Sequence, residues 1–251
     1  MTSDVSDWWS TAIIDMEPGR IALRGERIEG LIGAMGFAEM IWFLVRGDRP
    51  SAPQLSLFEA ALVAAVDHGP QAPSIAAARM AVTCGLPLNN AMASAVNMLG
   101  DVHGGAGEQA VELFHHLHAD GTLDAWIEAH GEIIPGYGHR FHKPVDPRAP
   151  RLMALVDEAV RAGGCTGRFA EIAQALEAEL SARKGVALPM NIDGATAVIY
   201  AELGFAPPLA RGLFCLSRSV GILAHAWEQV EQGGRNKGPT PPDYRWTYTG
   251  P

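Results

Sequence analysis

Along most of the chain, apolar residues recur every three or four positions, the spacing that lines up side chains on one face of a helix. From Arg27 to Val45 they fall at Ile28, Leu31, Ile32, Met35, Met40, Ile41, Phe43 and Leu44, which predicts one helix with a buried face. Gly30, Gly33 and Gly36 share a side of it and read as a surface for close helix packing. Their spacing is GxxGxxG, not the GxGxxG of a dinucleotide loop, and no strand precedes it. Further helices are predicted over 55–66, 74–84, 90–99, 108–118, 151–161, 169–182, 191–203 and 208–230. Pro50, Pro53, Pro70, Pro73 and Pro87 punctuate them, as proline does at helix starts and in connections. The stretch 134–151 holds Pro135, Gly136, Gly138, Pro144, Pro147 and Pro150 among several cations and reads as a structured loop. Residues 233–251 form a Gly/Pro/Lys tail. Few runs alternate with period two, and none flanks a hairpin turn such as Asn-Gly. The expectation is an all-α fold without internal repeats: a large helical domain of residues 1–103 and 191–251, with a smaller subdomain, residues 104–190, inserted.

Composition narrows the class. The 251 residues are 48% apolar and 19% charged, too apolar for a disordered chain and wrongly composed for collagen or a coiled coil. Cys84, Cys165 and Cys215 lie far apart with no CxxC pair, which argues against a disulfide framework or zinc ribbon and for a reducing compartment. The net charge of −9, without a Lys/Arg run, makes nucleic acid a poor partner. An anion site must then be built locally from a few arginines and helix N-termini. No signal peptide is evident at the N-terminus, and the apolar stretches 58–66 and 213–226 are too short and too interrupted to span a bilayer. A soluble cytoplasmic protein is expected.

Four polar islands interrupt the apolar helical background: Asp67-His68-Gly69-Pro70, Gly100-Asp101-Val102-His103-Gly104-Gly105-Ala106, Gly136-Tyr137-Gly138-His139-Arg140 with Asp146-Pro147-Arg148 following, and Asn191-Ile192-Asp193-Gly194. Each sets a His or Asp beside glycine, where a ligand can come close. Each also has a plainer reading: His68 as a helix cap, His103 as a turn residue, Asp193 as the N-cap of the next helix. The long Pro/Gly loop is the most specific of them. His115, His116 and His118 lack a matching Cys, Asp or Glu set and read as a solvated helix face rather than metal ligands. There is no P-loop, no GxSxG elbow and no HExxH. Arg218, a charge inside the apolar run 214–220, needs a partner, either a structural carboxylate or a substrate's.

Taken in order, these islands resemble the citrate synthase superfamily, together with the segment Leu216-Ser217-Arg218-Ser219-Val220-Gly221-Ile222-Leu223-Ala224-His225 and the closing Arg245-Trp246-Thr247-Tyr248-Thr249-Gly250. The match covers about residues 20–250. The chain is shorter than citrate synthases and in this resembles short citryl-CoA lyases and the citryl-CoA lyase module of ATP-citrate lyase. That module has an aromatic residue where this chain has His103, so His103 and Arg245 are synthase-like.

The resemblance implies roles by position. Asp193 is matched to the base at the acyl-CoA α-carbon, His103 to the donor on the thioester oxygen, and His139 to the group that polarises and protonates the oxaloacetate carbonyl. His68, Arg148 and Arg218 are matched to ligands of substrate carboxylates, and Arg245 to an arginine supplied by the neighbouring subunit of a homodimer. Ile134, Pro135, Gly136, Tyr137 and Gly138 are matched to backbone that holds coenzyme A, and Lys184 to a contact with its phosphates. Neither a metal nor a tightly bound cofactor is implied, the coenzyme A thioester being substrate. Such a set is chemically coherent. A thioester α-proton is a weak acid, so its base works only if the enolate oxygen is stabilised at the same time, and arginine's fork suits di- and tricarboxylates. Cleavage would run this path backwards, with His139 taking the hydroxyl proton of citryl-CoA and Asp193 quenching the enolate. Three functions follow: a citryl-CoA lyase fed by a citryl-CoA-forming ligase partner, a citrate or 2-methylcitrate synthase that also hydrolyses the thioester, or a catalytically silent subunit that binds CoA esters.

Overall fold

The computed structural model describes residues 8–139 and 142–251. It is mostly helical, with one small sheet. Strands β1 (Ile14–Glu17), β2 (Arg20–Leu23) and β3 (Glu26–Arg27) form an antiparallel meander in that order, with Ile14 facing Leu23 and Ala22 facing Arg27 across the ladders. The expected helical architecture holds, and this small meander is an addition to it. The turns are Pro18-Gly19 and Arg24-Gly25, and in the second both residues have positive φ, 50° and 87°, the geometry a two-residue hairpin needs.

Eleven helices follow among the described residues: α1 (Ile28–Leu31), α2 (Phe37–Arg46), α3 (Ala52–Ala64), α4 (Pro73–Thr83), α5 (Leu88–Val96), α6 (Ala106–His118), α7 (Leu123–His130), α8 (Arg148–Arg161), α9 (Arg168–Lys184), α10 (Ile192–Glu202) and α11 (Pro207–Gln232). The single helix expected over 27–45 is two, α1 and α2. Gly33 (φ +83°) stands between them, and a Cβ at Gly30, Gly33 or Gly36 would meet nothing within 4 Å. Gly33 therefore separates the two helices, and none of the three glycines packs closely against another part of this chain. Elsewhere the helices fall near their expected places. Prolines open α3, α4 and α11 in their first turns, and α3 adds a reciprocal Ser51–Gln54 capping box. Helix α7, absent from the sequence reading, starts at Thr122, whose hydroxyl accepts the Ala125 N–H at 3.2 Å.

Helix α10 is the axis of the molecule. Its residues Gly194 to Ala201 are buried on every side, as a helix apolar all round must be, and it packs against α3, α6, α8, α9 and α11. One apolar cluster joins α2, α3 and α6 to α10 and the start of α11; a second joins α4 and α5 to the middle of α11. Within the first, Trp42, Phe58 and Phe205 meet at ring centroids 5.1–5.5 Å apart. Glu202 at the end of α10 accepts N–H groups of Gly167, Phe169 and Ala170, closing the open end of α9. These contacts fix the first turn of α10, which carries Asp193. No helix among the described residues is long and apolar enough to cross a membrane.

Candidate active site

A cavity of about 570 Å³ opens beside the first turn of α10. His68, His103, His139, Asp193 and Arg218, drawn from five separated segments, share its wall with Phe214 and Gly138. Asp193 is not the cap of α10. Asn191 is, its Oδ1 accepting the N–H groups of Asp193 (2.9 Å) and Gly194 (3.2 Å). The Asp193 side chain is thereby released to the cavity, where its carboxylate accepts no hydrogen bond among the described residues. Burial pushes this carboxyl above the ordinary aspartate value, against the pull of Arg218 and Arg148, with Asp146 adding to the rise. A poorly solvated carboxylate that readily takes a proton suits proton exchange with a weak carbon acid.

Two histidines have their ring protons placed by backbone amides. The Ser74 N–H, at the start of α4, donates to His103 Nε2 at 3.2 Å, and Ser74 Oγ lies 3.0 Å from the same nitrogen. The neutral ring therefore carries its proton on Nδ1, as a donor. Burial first, and then Arg218, holds His103 below the ordinary imidazole value, so it donates while neutral. The His142 N–H donates to His139 Nδ1 at 2.9 Å, which puts the proton of the neutral His139 ring on Nε2. His68 meets His139 edge-on with centroids 5.4 Å apart, and burial, followed by Arg148 and Arg218, depresses its pKa as well.

The two arginines differ. Arg218 is buried, gives its Nε–H to the Ala65 carbonyl (3.1 Å) and lies over the Phe214 ring. No carboxylate stands within ion-pair distance of it among the described residues, and burial lowers its pKa despite Asp193 and Asp67. A guanidinium in this state offers both charge and donors to an anionic ligand. Arg148 is already forked onto Asp146, through Nε (3.0 Å) and Nη2 (2.8 Å), and is not in the cavity wall. The buried Asp146 also accepts the Ile192 N–H at 3.2 Å, so this pair braces α10. Burial tends to raise the Asp146 carboxyl, and Arg148 more than offsets it. Nothing in the sequence marks Ser74, Asp146 or the cap Asn191 as functional by itself, although Asp146 and Asn191 lie inside two of the polar islands.

Of the coenzyme A loop, only Gly138 reaches the cavity; Ile134, Pro135, Gly136 and Tyr137 are buried. Tyr137 donates its hydroxyl to the Ala173 carbonyl at 2.8 Å, and Asn191 holds the loop through the carbonyls of Gly136 (2.9 Å) and Gly138 (2.7 Å). Lys184 is exposed and 3.8 Å from Glu132. Arg245 lies in the exposed tail, away from the cavity wall. Arg140, in the loop motif, lies outside the described residues. Among the described residues no group of three or more His, Cys, Asp or Glu is placed to hold a metal ion.

The depressed histidines couple stability to pH. Unfolded, both titrate near 6.5; folded, they bind protons less readily. Their contribution is fully present above about pH 6.5 and is lost as pH falls from there through the folded values. Between pH 7.5 and 5.5 the urea midpoint of the parent is expected to lose more, or gain less, than that of His103→Gln, which lacks this histidine's share. Equal changes in the two proteins would contradict this.

Comparison with known proteins assigns the family. Residues 54–239 match the family described as "Citrate synthase, C-terminal domain". Curated relatives include the citrate synthase of Haloferax volcanii, 29% identical over 79% of this chain and 52% of its own length, and citrate synthase 2 of Bacillus subtilis, 30% identical over 86% and 56%. The chain spans about half the length of these relatives. Among solved structures, the citryl-CoA lyase of Hydrogenobacter thermophilus aligns with a TM-score of 0.86 and 31% identity over 97% of this chain and 96% of its own. The ATP citrate lyase of Methanosaeta concilii aligns at 0.81 with 21% identity over all of this chain and 45% of its own, a likeness of fold. Every residue of the cavity wall lies within the matched segment, and the chain belongs to the citrate synthase family.

Proposed function

We propose that this protein is a citryl-CoA lyase, cleaving citryl-CoA to acetyl-CoA and oxaloacetate. The observation that carries the reading is the desolvated Asp193 carboxyl, held above its ordinary pKa in a cavity it shares with the Nδ1–H donor His103. Cleavage transfers the proton of the tertiary hydroxyl to His139, breaks the carbon–carbon bond, and leaves its electron pair as the thioester enolate. His103 stabilises the enolate oxygen and protonated Asp193 delivers a proton to the carbon. Arg218, with His68, holds substrate carboxylate, and Arg148 assists through the donors that Asp146 leaves over. Near end-to-end similarity to the Hydrogenobacter lyase favours this reading over one based on the longer synthases.

One observation favours the second reading, a citrate or 2-methylcitrate synthase that also hydrolyses the thioester. With its proton on Nε2, His139 is set to donate to a ketone oxygen, the resting state that condensation requires. For cleavage the neutral ring must present Nε2 as an acceptor, so the His142 bond to Nδ1 has to be given up. We assign coenzyme A to the Gly138 edge of the loop, with Ile134, Pro135, Gly136 and Tyr137 as its scaffold and Lys184 leaving Glu132 for the phosphates. The subdomain 104–190 closes over the ligands, and Arg245 comes from the neighbouring subunit of a homodimer, which sedimentation would test. A citryl-CoA-forming ligase is the partner a lyase requires.

The test is to supply citryl-CoA and identify the products by mass spectrometry. Acetyl-CoA plus oxaloacetate is the expected result. Citrate plus free CoA would establish the synthase reading, and untouched citryl-CoA would turn attention to a silent CoA-ester-binding subunit.

A further inference from the structure

The segment between α3 and α4 brings His68 to the cavity, and what holds this segment lies outside the cavity wall. Asp67 Oδ2 accepts the Gly69 N–H at 3.2 Å, and Asp67 Oδ1 lies 3.1 Å from Nε2 of His225 on α11. A carboxylate only accepts, so His225 Nε2 carries a hydrogen. On its other side, His225 Nδ1 faces Nη1 of Arg79 on α4 at 3.3 Å. A guanidinium only donates, so Nδ1 accepts from Arg79, with Glu228 Oε2, which the same guanidinium holds, 3.9 Å from that nitrogen. Arg79 is balanced by Glu228 and gives another N–H to Gln232 Oε1 at 2.8 Å. Alongside, the Gly221 N–H reaches the Val66 carbonyl at 3.2 Å, and a Cβ at position 221 would collide with that oxygen.

We infer that His225 is a positioning residue for the His68 segment: its Nε2-protonated ring ties Asp67 to Arg79 on α4 and to its own helix, α11. Those helices are reference points for the site already, since the start of α4 fixes His103 and α11 carries Arg218. One line of donors and acceptors thus sets His68 relative to both. His225, Arg79 and Asp67 are absent from the cavity wall, so none is expected to touch substrate. The kinetic part of the inference rests on the reading of the cavity given above, under which His68 holds a substrate carboxylate.

The experiment compares His225→Ala and His225→Gln in the full-length protein, using citryl-CoA kinetics and ¹⁵N NMR of the imidazole rings. Small displacements of positioning groups cost on the order of 10–100-fold. In His225→Ala, KM for citryl-CoA is expected to rise by about that factor while kcat stays within about twofold. His225→Gln keeps an N–H at similar reach and is expected to restore most of the lost KM. In the parent, the His225 ring should show the Nε2–H tautomer, and the His68 signals should move in His225→Ala and return in His225→Gln. A merely structural role would lower the melting temperature and leave KM unchanged, and that result overturns the inference. His68 signals that stay in place overturn it too. Parent protein inert toward citryl-CoA would count against the proposed function alone, since the His68 signals decide the positioning role without turnover.

Discussion

Asp193→Asn is expected to reduce turnover of citryl-CoA by about 10²–10⁴-fold or more in a protein at least as stable as the parent. The loss follows from chemistry: an amide neither takes up nor delivers a proton at carbon, and no second carboxyl lines the cavity among the described residues. The stability follows from linkage. A carboxyl whose pKa is raised on folding binds its proton more tightly in the folded chain, so stability falls as pH rises from the unfolded value, near 3.9, through the folded one. Above the unfolded value the parent therefore carries a cost that asparagine, which does not titrate, removes. Kinetics and calorimetry on one preparation check both halves. Near-parent turnover would remove Asp193 from the mechanism, and a large fall in melting temperature would make it a structural residue. His139→Ala is expected to lose turnover on the same scale.

Gly194→Ala is expected to damage both fold and site. A Cβ there would stand 2.8 Å from Met190 Cγ and closer still to the Gly136 carbonyl oxygen. The opposing glycine is as tight, since a Cβ at Gly136 would lie 2.7 Å from Gly194 Cα. The two segments cannot simply part. The amide of Asn191 holds the Gly136 carbonyl at 2.9 Å, and the amide of Gly138 holds the Pro189 carbonyl at 2.8 Å. Overpacking of this kind costs about 1–3 kcal/mol. For a chain of this size that lowers the melting temperature by roughly 2–12 °C. Displacing the first turn of α10 also moves Asp193, and a shift of about 1 Å can cost on the order of 10²-fold in rate. Gly107→Ala is the control: a Cβ there meets nothing within 4 Å, and the same substitution should leave stability and rate intact. If Gly194→Ala matched that control, the tight crossing would not be what places Asp193.

The helical plan was legible in the sequence because its signal is local. Spacings of three and four residues mark α3 to α6 and α8 to α11, and proline marks several of their starts. The errors fell where local signals mislead or are silent. Ile28, Leu31, Ile32 and Met35 keep helical spacing across Gly33, but a positive φ there ends the turn regardless of periodicity. The strands of the meander are only two to four residues long, and β1 is exposed throughout, so no buried face writes itself into the pattern. The site divides in the same way. His68, His103, His139 and Asp193 stand in polar islands amid apolar helices, Arg218 is a lone charge in an apolar run, and the cavity brings all five together. The groups that orient them were not found. Ser74 and His142 act through backbone amides, which no side-chain motif records. Asp146 acts on α10 from 46 positions away. The resemblance matches Arg148 to a carboxylate ligand, and its fork onto Asp146 depends on geometry and not on composition.

The wall of the cavity is written in five separate stretches of chain, and the last of them is α11. During synthesis His68, His103 and His139 leave the ribosome well before Arg218, the Gly221 edge and His225 exist to receive them. Contacts so distant in sequence form late, after much loop-closure entropy has been overcome. A nascent chain therefore carries most of the reactive groups without a site in which to use them. Any cut between His139 and Ile192 separates the three histidines of the cavity wall from Asp193. Under the proposed function, competence requires all five stretches together, and a fragment that regains it must do so by recruiting the stretches it lacks.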